Sequence, residues 1–453
     1  MKEQAILQAL QQKLGIASLN EMQTHVLRSV GNQSNVIIYS PTGTGKTIAY
    51  AIPVLKSLKN FDRERLQVVV IAPSRELVTQ IYEVVRVLAS DQKVTALYGG
   101  HKVVDEINSL QATPTIIVAT PGRLLDHCNR SNVNLAHVRQ LVLDEFDKCL
   151  ELGFEDEMKK LLKLMPNLSR RILTSATVLP QIPQFVGVND FVVVNFLHTN
   201  DSLRNRTTIF EVKSADKDKI QSLVNLLKAI PEGKTIVFAN YRDAVERIYH
   251  HLKQLHISTG IYHGGLEQID REKAIAMFNN ESYPILVSTD LGSRGLDIKE
   301  VKNVIHYHFP LSEEAFIHRN GRTARINHSG NVYVLTHQDE VLPPFITIDR
   351  EMEAPSTAST KPIKNKNCTL FFKAGKKEKI SKGDIVGFLV NNSGITPDEI
   401  GVINIYDHYA LVAIPHHKAE SALCLLRKAK IKGKKVRIDL ASPEVKLGVY
   451  SHK

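Results

Sequence analysis

The 453-residue chain has no tryptophan, and aromatics make up only 6% of it. Hydrophobic residues still reach 43%, enough for packed cores, so fibrous and disordered classes are excluded. Its four cysteines, Cys128, Cys149, Cys368 and Cys424, form no close pair and no CxxC. A disulfide framework or zinc site is therefore not expected, and a reducing cytoplasm is the expected home. No apolar run approaches the ~18 residues of a membrane span, and Met1-Lys2-Glu3-Gln4 opens no apolar leader. Residues 1–360 also lack net charge, with 40 Lys/Arg against 39 Asp/Glu. Nearly all of the overall +11 lies in residues 361–453, with 18 Lys/Arg against 8 Asp/Glu. A basic block of that kind is the footprint of a polyanion-binding module.

What is present begins with Ser40-Pro41-Thr42-Gly43-Thr44-Gly45-Lys46-Thr47, between the apolar run Val36–Tyr39 and a helix-compatible stretch. Strand, glycine-rich loop and helix form the context of a phosphate-binding loop, although Ser40 stands where the strict motif has glycine. Backbone N–H groups of Thr42, Gly43, Thr44 and Gly45 then face the anion, assisted by the helix dipole. Lys46 reaches the β- and γ-phosphates, and the Thr47 hydroxyl binds Mg2+, which makes ATP the expected nucleotide. Upstream, Gln23 is either an ordinary surface residue or a carboxamide that reads an adenine edge.

Apolar strands then alternate with helical stretches: Val68–Ala72, Val94–Leu97, Ile116–Ala119, Leu141–Leu143, Ile172–Leu173 and Phe191–Val194. Continuous Val/Ile/Leu runs separated by helices indicate a parallel sheet covered on both faces, with ligands beyond its carboxyl ends. Leu141-Val142-Leu143-Asp144-Glu145 ends in the carboxylates the loop lacks: Asp144 for Mg2+, Glu145 for the attacking water. After a polar connector near 197–207, a second α/β set runs from Ile209 to Thr336 without a phosphate loop. It carries guanidiniums at Arg319, Arg322 and Arg325, groups suited to stabilising charge on a transferring phosphoryl.

With these motifs in order, residues 15–340 resemble a DEAD-box ATP-dependent RNA helicase of superfamily 2. The resemblance implies two RecA-like parallel-sheet domains in tandem, 1–200 and 207–345. It also implies roles: Lys46, Asp144, Glu145, Arg322 and Arg325 in hydrolysis, Gln23 and Asp297 at the nucleoside, and Arg75, Gly100, Thr120, Arg123, Thr289 and Arg294 along RNA. Ser175, Thr177, His318 and Arg319 would couple the domains. Three features depart from the family pattern: Phe146 in the alanine position of Asp-Glu-Phe-Asp, Ile16 with Leu19-Asn20 before Gln23, and Asn320 with Ala324 in the arginine motif.

After a linker at 349–366, residues 367–445 follow a β-α-β-β-α-β order, the arrangement of a small α+β RRM-like domain. Tyr409 with Leu411 replaces the aromatic pair that usually stacks bases. The basic stretches, Lys432 and Lys434 among them, resemble the RNA-binding domain of the bacterial DbpA helicases. That implies structured large-subunit ribosomal RNA as partner and a role in ribosome assembly. The alternatives are an ATP-gated RNA clamp with little turnover, prompted by Phe146 and the altered region before Gln23, and a helicase acting on DNA.

Overall fold

The computed structural model describes residues 2–29, 35–41, 43–58, 65–100, 103–179, 181–187, 190–197, 206–293, 298, 301–323, 329–355, 363 and 365–442. The chain divides into two compact units, the first essentially residues 1–203 and the second 204–453 apart from 295–297.

In the first unit β1 (Val36–Tyr39), β2 (Val68–Ile71), β3 (Val94–Leu97), β4 (Ile116–Ala119), β5 (Gln140–Leu143), β6 (Arg170–Ser175) and β7 (Val192–Asn195) form one sheet. Their order is β3-β4-β2-β5-β6-β1-β7, and every pairing is parallel. The reason for the unbroken apolar runs lies in the packing. Val36, Ile38, Val68, Val70 and Val142 face one core, whereas Ile37, Tyr39, Val69, Ile71 and Leu143 face the other. Both faces of the central strands are covered by helices, so alternation along them calls for apolar residues on either side.

The second unit repeats the plan. Strands β8 (Thr207–Ser214), β9 (Lys234–Phe238), β10 (Thr259–Tyr262), β11 (Ile285–Ser288), β12 (Val301–His306), β13 (Gly330–His337) and β14 (Arg350–Glu353) form a second all-parallel sheet. Its order is β10-β11-β9-β12-β13-β8-β14. The edge strand β14 occupies the start of the stretch read as a linker. Arg350, Glu351 and Glu353 are exposed and only Met352 turns inward, so no hydrophobic pattern announces it.

A four-stranded antiparallel sheet completes the second unit: β15 (Asn367–Phe372), β16 (Ile403–Ile405), β17 (Ala410–Pro415) and β18 (Ile438–Leu440), in the order β16-β17-β15-β18. Helices Lys382–Ser393 and Ala419–Leu426 pack on one face over Leu370, Phe372, Ala410, Val412 and Ile414. Ser381 and Asp384 cap the first of them reciprocally. The architecture is thus two parallel α/β domains followed by a small α+β domain.

Candidate active site and nucleic-acid interface

Strand order decides what the first unit can assemble. The carboxyl ends of β5, β6 and β1 are neighbours, which brings together Asp144–Asp147, Ser175–Thr177 and the loop 40–45. The ends of β2, β4 and β3, on the other side of β5, carry Arg75, Thr120 and Gly99-Gly100. One sheet edge therefore holds the nucleotide candidates and the RNA candidates in adjacent halves.

The loop at the end of β1 is bound from both sides. Gly43 and Gly45 take φ of 82° and 86°, the left-handed region that favours glycine. A Cβ on Gly45 would stand 2.4 Å from Gln23 Nε2. That closeness is functional in form, since Gln23 Nε2 donates to the Gly45 carbonyl at 3.2 Å and Asn20 Nδ2 donates to the Thr44 carbonyl at 2.9 Å. Asn20 and Gln23 also cap their helix reciprocally: Asn20 N–H donates to Gln23 Oε1 and Gln23 N–H to Asn20 Oδ1. Asn20, one of the departures from the family pattern, thus supplies the capping oxygen of this helix. Lys46 is buried, and its ammonium donates to the Ser40 carbonyl at 2.7 Å. The Ser40 and Thr44 hydroxyls are 2.8 Å apart, so the serine in place of glycine closes a side-chain bridge across the loop.

Asp144 is 2% exposed, and each of its oxygens has a named donor. Tyr50 O–H donates to Oδ2 at 3.0 Å, and the Thr174 hydroxyl donates to Oδ1. Burial, and after it the Asp144 carboxylate, push the Tyr50 phenol well above its ordinary value, which keeps it a proton donor. Glu145 is buried as well and takes φ of 47° at the start of helix Phe146–Glu151. Its N–H donates to Asp144 Oδ1 and Thr174 Oγ1, both at 3.1 Å. Phe146 is fully buried, packs beside Phe185 and belongs to the core under the sheet. The ring therefore occupies core space behind the acids and leaves both carboxylates at the strand end. Asp147 reaches the neighbouring strand end, accepting from Thr177 Oγ1 at 3.1 Å and Ala176 N–H at 3.3 Å. Ser175 Oγ donates to the Thr177 carbonyl at 2.6 Å.

The donor set suits Mg2+: the Asp144 carboxylate and the Thr47 hydroxyl are hard oxygen ligands, too few for an all-protein cage, leaving positions for phosphate and water oxygens. Among the described residues no group of three or more His, Cys, Asp or Glu side chains could hold a metal on its own.

Among the RNA candidates, Arg75 is the first residue of helix Arg75–Leu88, capped by Ser74, and Thr120 precedes helix Pro121–Asn129. A Cβ on Gly99 would approach Arg75 Nη2 to 3.1 Å, so the glycine pair lets that guanidinium lie over the loop. Gly100 is exposed at φ 99°. Arg123 donates to Glu106 at 2.6 Å, and the same carboxylate receives Tyr98 N–H at 3.0 Å and lies 2.9 Å from His127 Nε2. Glu106, absent from the sequence expectations, fixes Arg123 and the glycine loop together.

In the second unit Arg319 is fully buried. Its guanidinium donates to Asp290 Oδ2 at 3.1 Å, Asn240 Oδ1 at 2.7 Å and the His308 carbonyl at 3.0 Å, and it lies over the Phe238 ring. It ties together the segments that follow β11, β9 and β12. Arg322 is 2% exposed and donates from Nε to the Ser293 carbonyl at 2.8 Å. His318 is buried with Nδ1 2.7 Å from the Glu314 carbonyl. Thr289 N–H donates to the Tyr262 carbonyl. Asn320 accepts from His306 at 2.9 Å, which gives that departure a partner. Thr42, Arg294, Asp297 and Arg325 lie outside the described residues. Lys432 and Lys434 are exposed on the last loop of the third domain, where Lys432 pairs with Asp384 at 2.8 Å.

Residues 20–185 match the DEAD/DEAH box helicase family, 218–327 the helicase conserved C-terminal domain, and 369–440 the DbpA RNA binding domain. The chain belongs to the DEAD/DEAH-box helicases. Within them it is 31% identical to the ATP-dependent RNA helicase DbpA of Escherichia coli, over 94% of this chain and 95% of that one. It is 29% identical to the protein of that name from Bacillus subtilis, over 96% and 97%. Among solved structures it is similar to S. cerevisiae Dbp5 bound to RNA and ADP BeF3, with TM-score 0.67 and 25% identity, over 74% of this chain and 88% of that one. Mss116 bound to single-stranded RNA and UDP-BeF gives the same TM-score and identity, over 77% of each chain.

Proposed function

We propose that this chain is an RNA-dependent ATPase that couples hydrolysis to local opening or remodelling of RNA duplexes, anchored by its C-terminal domain. The observation that carries the reading is the shared edge of the first sheet, where Lys46, Asp144 and Glu145 stand beside Arg75, Thr120 and Arg123. RNA bound along one half and nucleotide along the other act on one rigid element.

The chemistry follows from the residues. Lys46 exchanges the Ser40 carbonyl for phosphate oxygens, and the N–H groups from Thr42 to Gly45 cradle them. Gln23, tied to the Gly45 carbonyl, links the base end of the nucleotide to that cradle. Thr47 and Asp144 would hold Mg2+, which neutralises phosphate charge when bound. Glu145 orients the attacking water and accepts its proton. Arg322 and Arg325 meet the developing charge on the γ-phosphoryl, while Asp297 contacts ribose. Ser175 and Thr177 report on Asp147, and His318 and Arg319 set the strand ends of the second domain that Thr289 and Arg294 share. Lys432 and Lys434 hold RNA on the third domain. We infer that this RNA is structured large-subunit ribosomal RNA and that the role is ribosome assembly in the cytoplasm, a reading supported by the match at 369–440 and by the basic loops. No described helix is long and apolar enough to cross a membrane.

ATP hydrolysis measured with and without RNA tests the proposal. Glu145→Gln and Lys46→Ala should each lower the RNA-stimulated rate by ~10^2-fold or more. Full activity in both would falsify it. Equal stimulation by matched DNA would assign the site to a different polynucleotide, because 2′-hydroxyl contacts distinguish the two.

A further inference from the structure

Helix Val103–Leu110 is turned the wrong way round for an element that only packs. Its one buried residue is an acid, Glu106 at 7% exposed, whereas Val104 and Ile107 face solvent at 63% and 37%. Burying a carboxylate is costly unless N–H donors surround it, and packing alone selects the apolar residues instead.

Donors do surround it. Glu106 Oε2 accepts from Arg123 Nε at 2.6 Å and from His127 Nε2 at 2.9 Å, and Oε1 accepts from Tyr98 N–H at 3.0 Å. His127 is fully buried, and Asn132 Nδ2, an amide nitrogen that only donates, lies 3.2 Å from its Nδ1. Nδ1 is therefore the acceptor, and Nε2 carries the proton given to Glu106. Asn132 N–H also donates to the His127 carbonyl at 2.9 Å, which keeps amide and ring together.

The donors lead to the segments that the RNA reading places along the polynucleotide. Tyr98 immediately precedes Gly99-Gly100, the pair over which Arg75 lies, and Arg123 stands in the first turn of helix Pro121–Asn129. Arg123 keeps 15% of its side chain exposed against 8% for Glu106, so the guanidinium reaches the surface while the acid that grips it does not. A carboxamide of the same size could not do this. Its oxygen could serve Tyr98, but its NH2 would then face two further donors, Arg123 Nε and His127 Nε2.

We infer that Glu106 is a positioning residue for RNA: its carboxylate sets the Arg123 guanidinium and the turn at Gly99-Gly100 before RNA arrives, so the phosphate backbone meets a prearranged surface. Resting on the RNA reading above, this arrangement acts on affinity for RNA and not on the hydrolytic step.

Hydrogen exchange of the full chain without RNA tests the positioning alone. The Tyr98 amide should exchange slowly in the wild type and ~10-fold or more faster in Glu106→Ala. Amides of β5 should stay slow in both, which shows that the first domain remains folded. A Tyr98 amide that exchanges freely in the wild type, or equally slowly in the variant, would overturn the positioning. RNA-stimulated hydrolysis with oligouridylate as probe tests the role. Glu106→Gln should raise the KM for RNA by ~10-fold or more, as removal of a charge-assisted hydrogen bond does, with little movement of kcat at saturating RNA. Because the acid acts through Arg123, Glu106→Gln should add far less to Arg123→Ala than it adds to the wild type. An unchanged KM, a loss confined to kcat, or fully additive losses in the double variant would refute the role, since an acid that only supports the fold gives one of those patterns. Wild-type hydrolysis that ignores RNA would strike the functional reading, and the exchange result would still decide whether Glu106 sets the two segments.

Discussion

The charged groups of the two parallel-sheet domains are held in opposite ways. In the first, Lys46, Asp144 and Glu145 are oriented by single neighbours: Ser40 after β1, Tyr50 inside helix Lys46–Lys56 and Thr174 of β6. In the second, Arg319 is a cross-brace that joins Asp290, Asn240 and the His308 carbonyl. On the proposed function the first domain carries groups whose loss costs chemistry, whereas the bracing role of Arg319 makes its loss a structural one. Glu145→Gln and Lys46→Ala should therefore abolish turnover while leaving the melting temperature nearly unchanged.

Arg319→Ala is the sharpest way to break that contrast. It removes a fully buried guanidinium with its bonds to partly exposed Asp290, Asn240 and the His308 carbonyl, and should destabilise the second unit by ~2–3 kcal/mol, seen as a low-temperature transition in calorimetry. A variant that melts normally and loses only ATPase would make Arg319 a chemical group and erase the distinction.

Phe146→Ala probes the opposite case, a structural residue within the catalytic signature. Emptying a fully buried ring site should cost ~3–5 kcal/mol in the first unit, even though alanine is the family's usual residue there. Denaturant midpoints read this directly, and a neutral result would mean that the surrounding core collapses into the space.

His306 sharpens the contrast on the pH axis. Burial and the Arg319 guanidinium hold it down at about 3, against 6.5 unperturbed. Arg319 Nη1 faces its Nδ1 at 3.5 Å, and Nε2–H donates to Asn320, so the folded state holds the neutral ring. The unfolded chain takes up a proton below pH 6.5 that the folded chain refuses. Stability is therefore complete above 6.5 and falls as pH drops from there towards 3. Between pH 7 and 5 the loss should be about 2 kcal/mol, and His306→Asn should flatten that slope.

Tyr50→Phe should give the smallest change. Asp144 loses one donor at the cost of about 1 kcal/mol, so turnover should drop several-fold and the Mg2+ requirement should shift. No change in either would show that Thr174 alone orients the acid.

Much of this was legible in the residues. The strands Val94–Leu97 and Ile116–Ala119 agree with the reading because buried parallel strands are short apolar runs bounded by polar punctuation. Strand Thr259–Tyr262 escaped because Thr-Gly-Ile-Tyr carries no such run, and Arg350–Glu353 because an exposed edge has no apolar face. At the candidate site, motif residues were visible because loops and strand ends carry special residue types. Tyr50, Thr174 and Glu106 were not, since each acts from the interior of an element or across a fold-dependent distance of 17 to 94 positions. Asn20 could have been found: Asn-x-x-Gln before a helix is a capping box on its face.

Glu145 sits at φ 47°, a backbone setting that costs a non-glycine residue ~1–3 kcal/mol. Selection for heat resistance alone would therefore reward Glu145→Gly, which relaxes the backbone and discards the carboxylate. If Glu145 activates the attacking water as proposed, a directed-evolution campaign on this enzyme has to score turnover alongside survival, or it will drift towards robust, inert variants through that position.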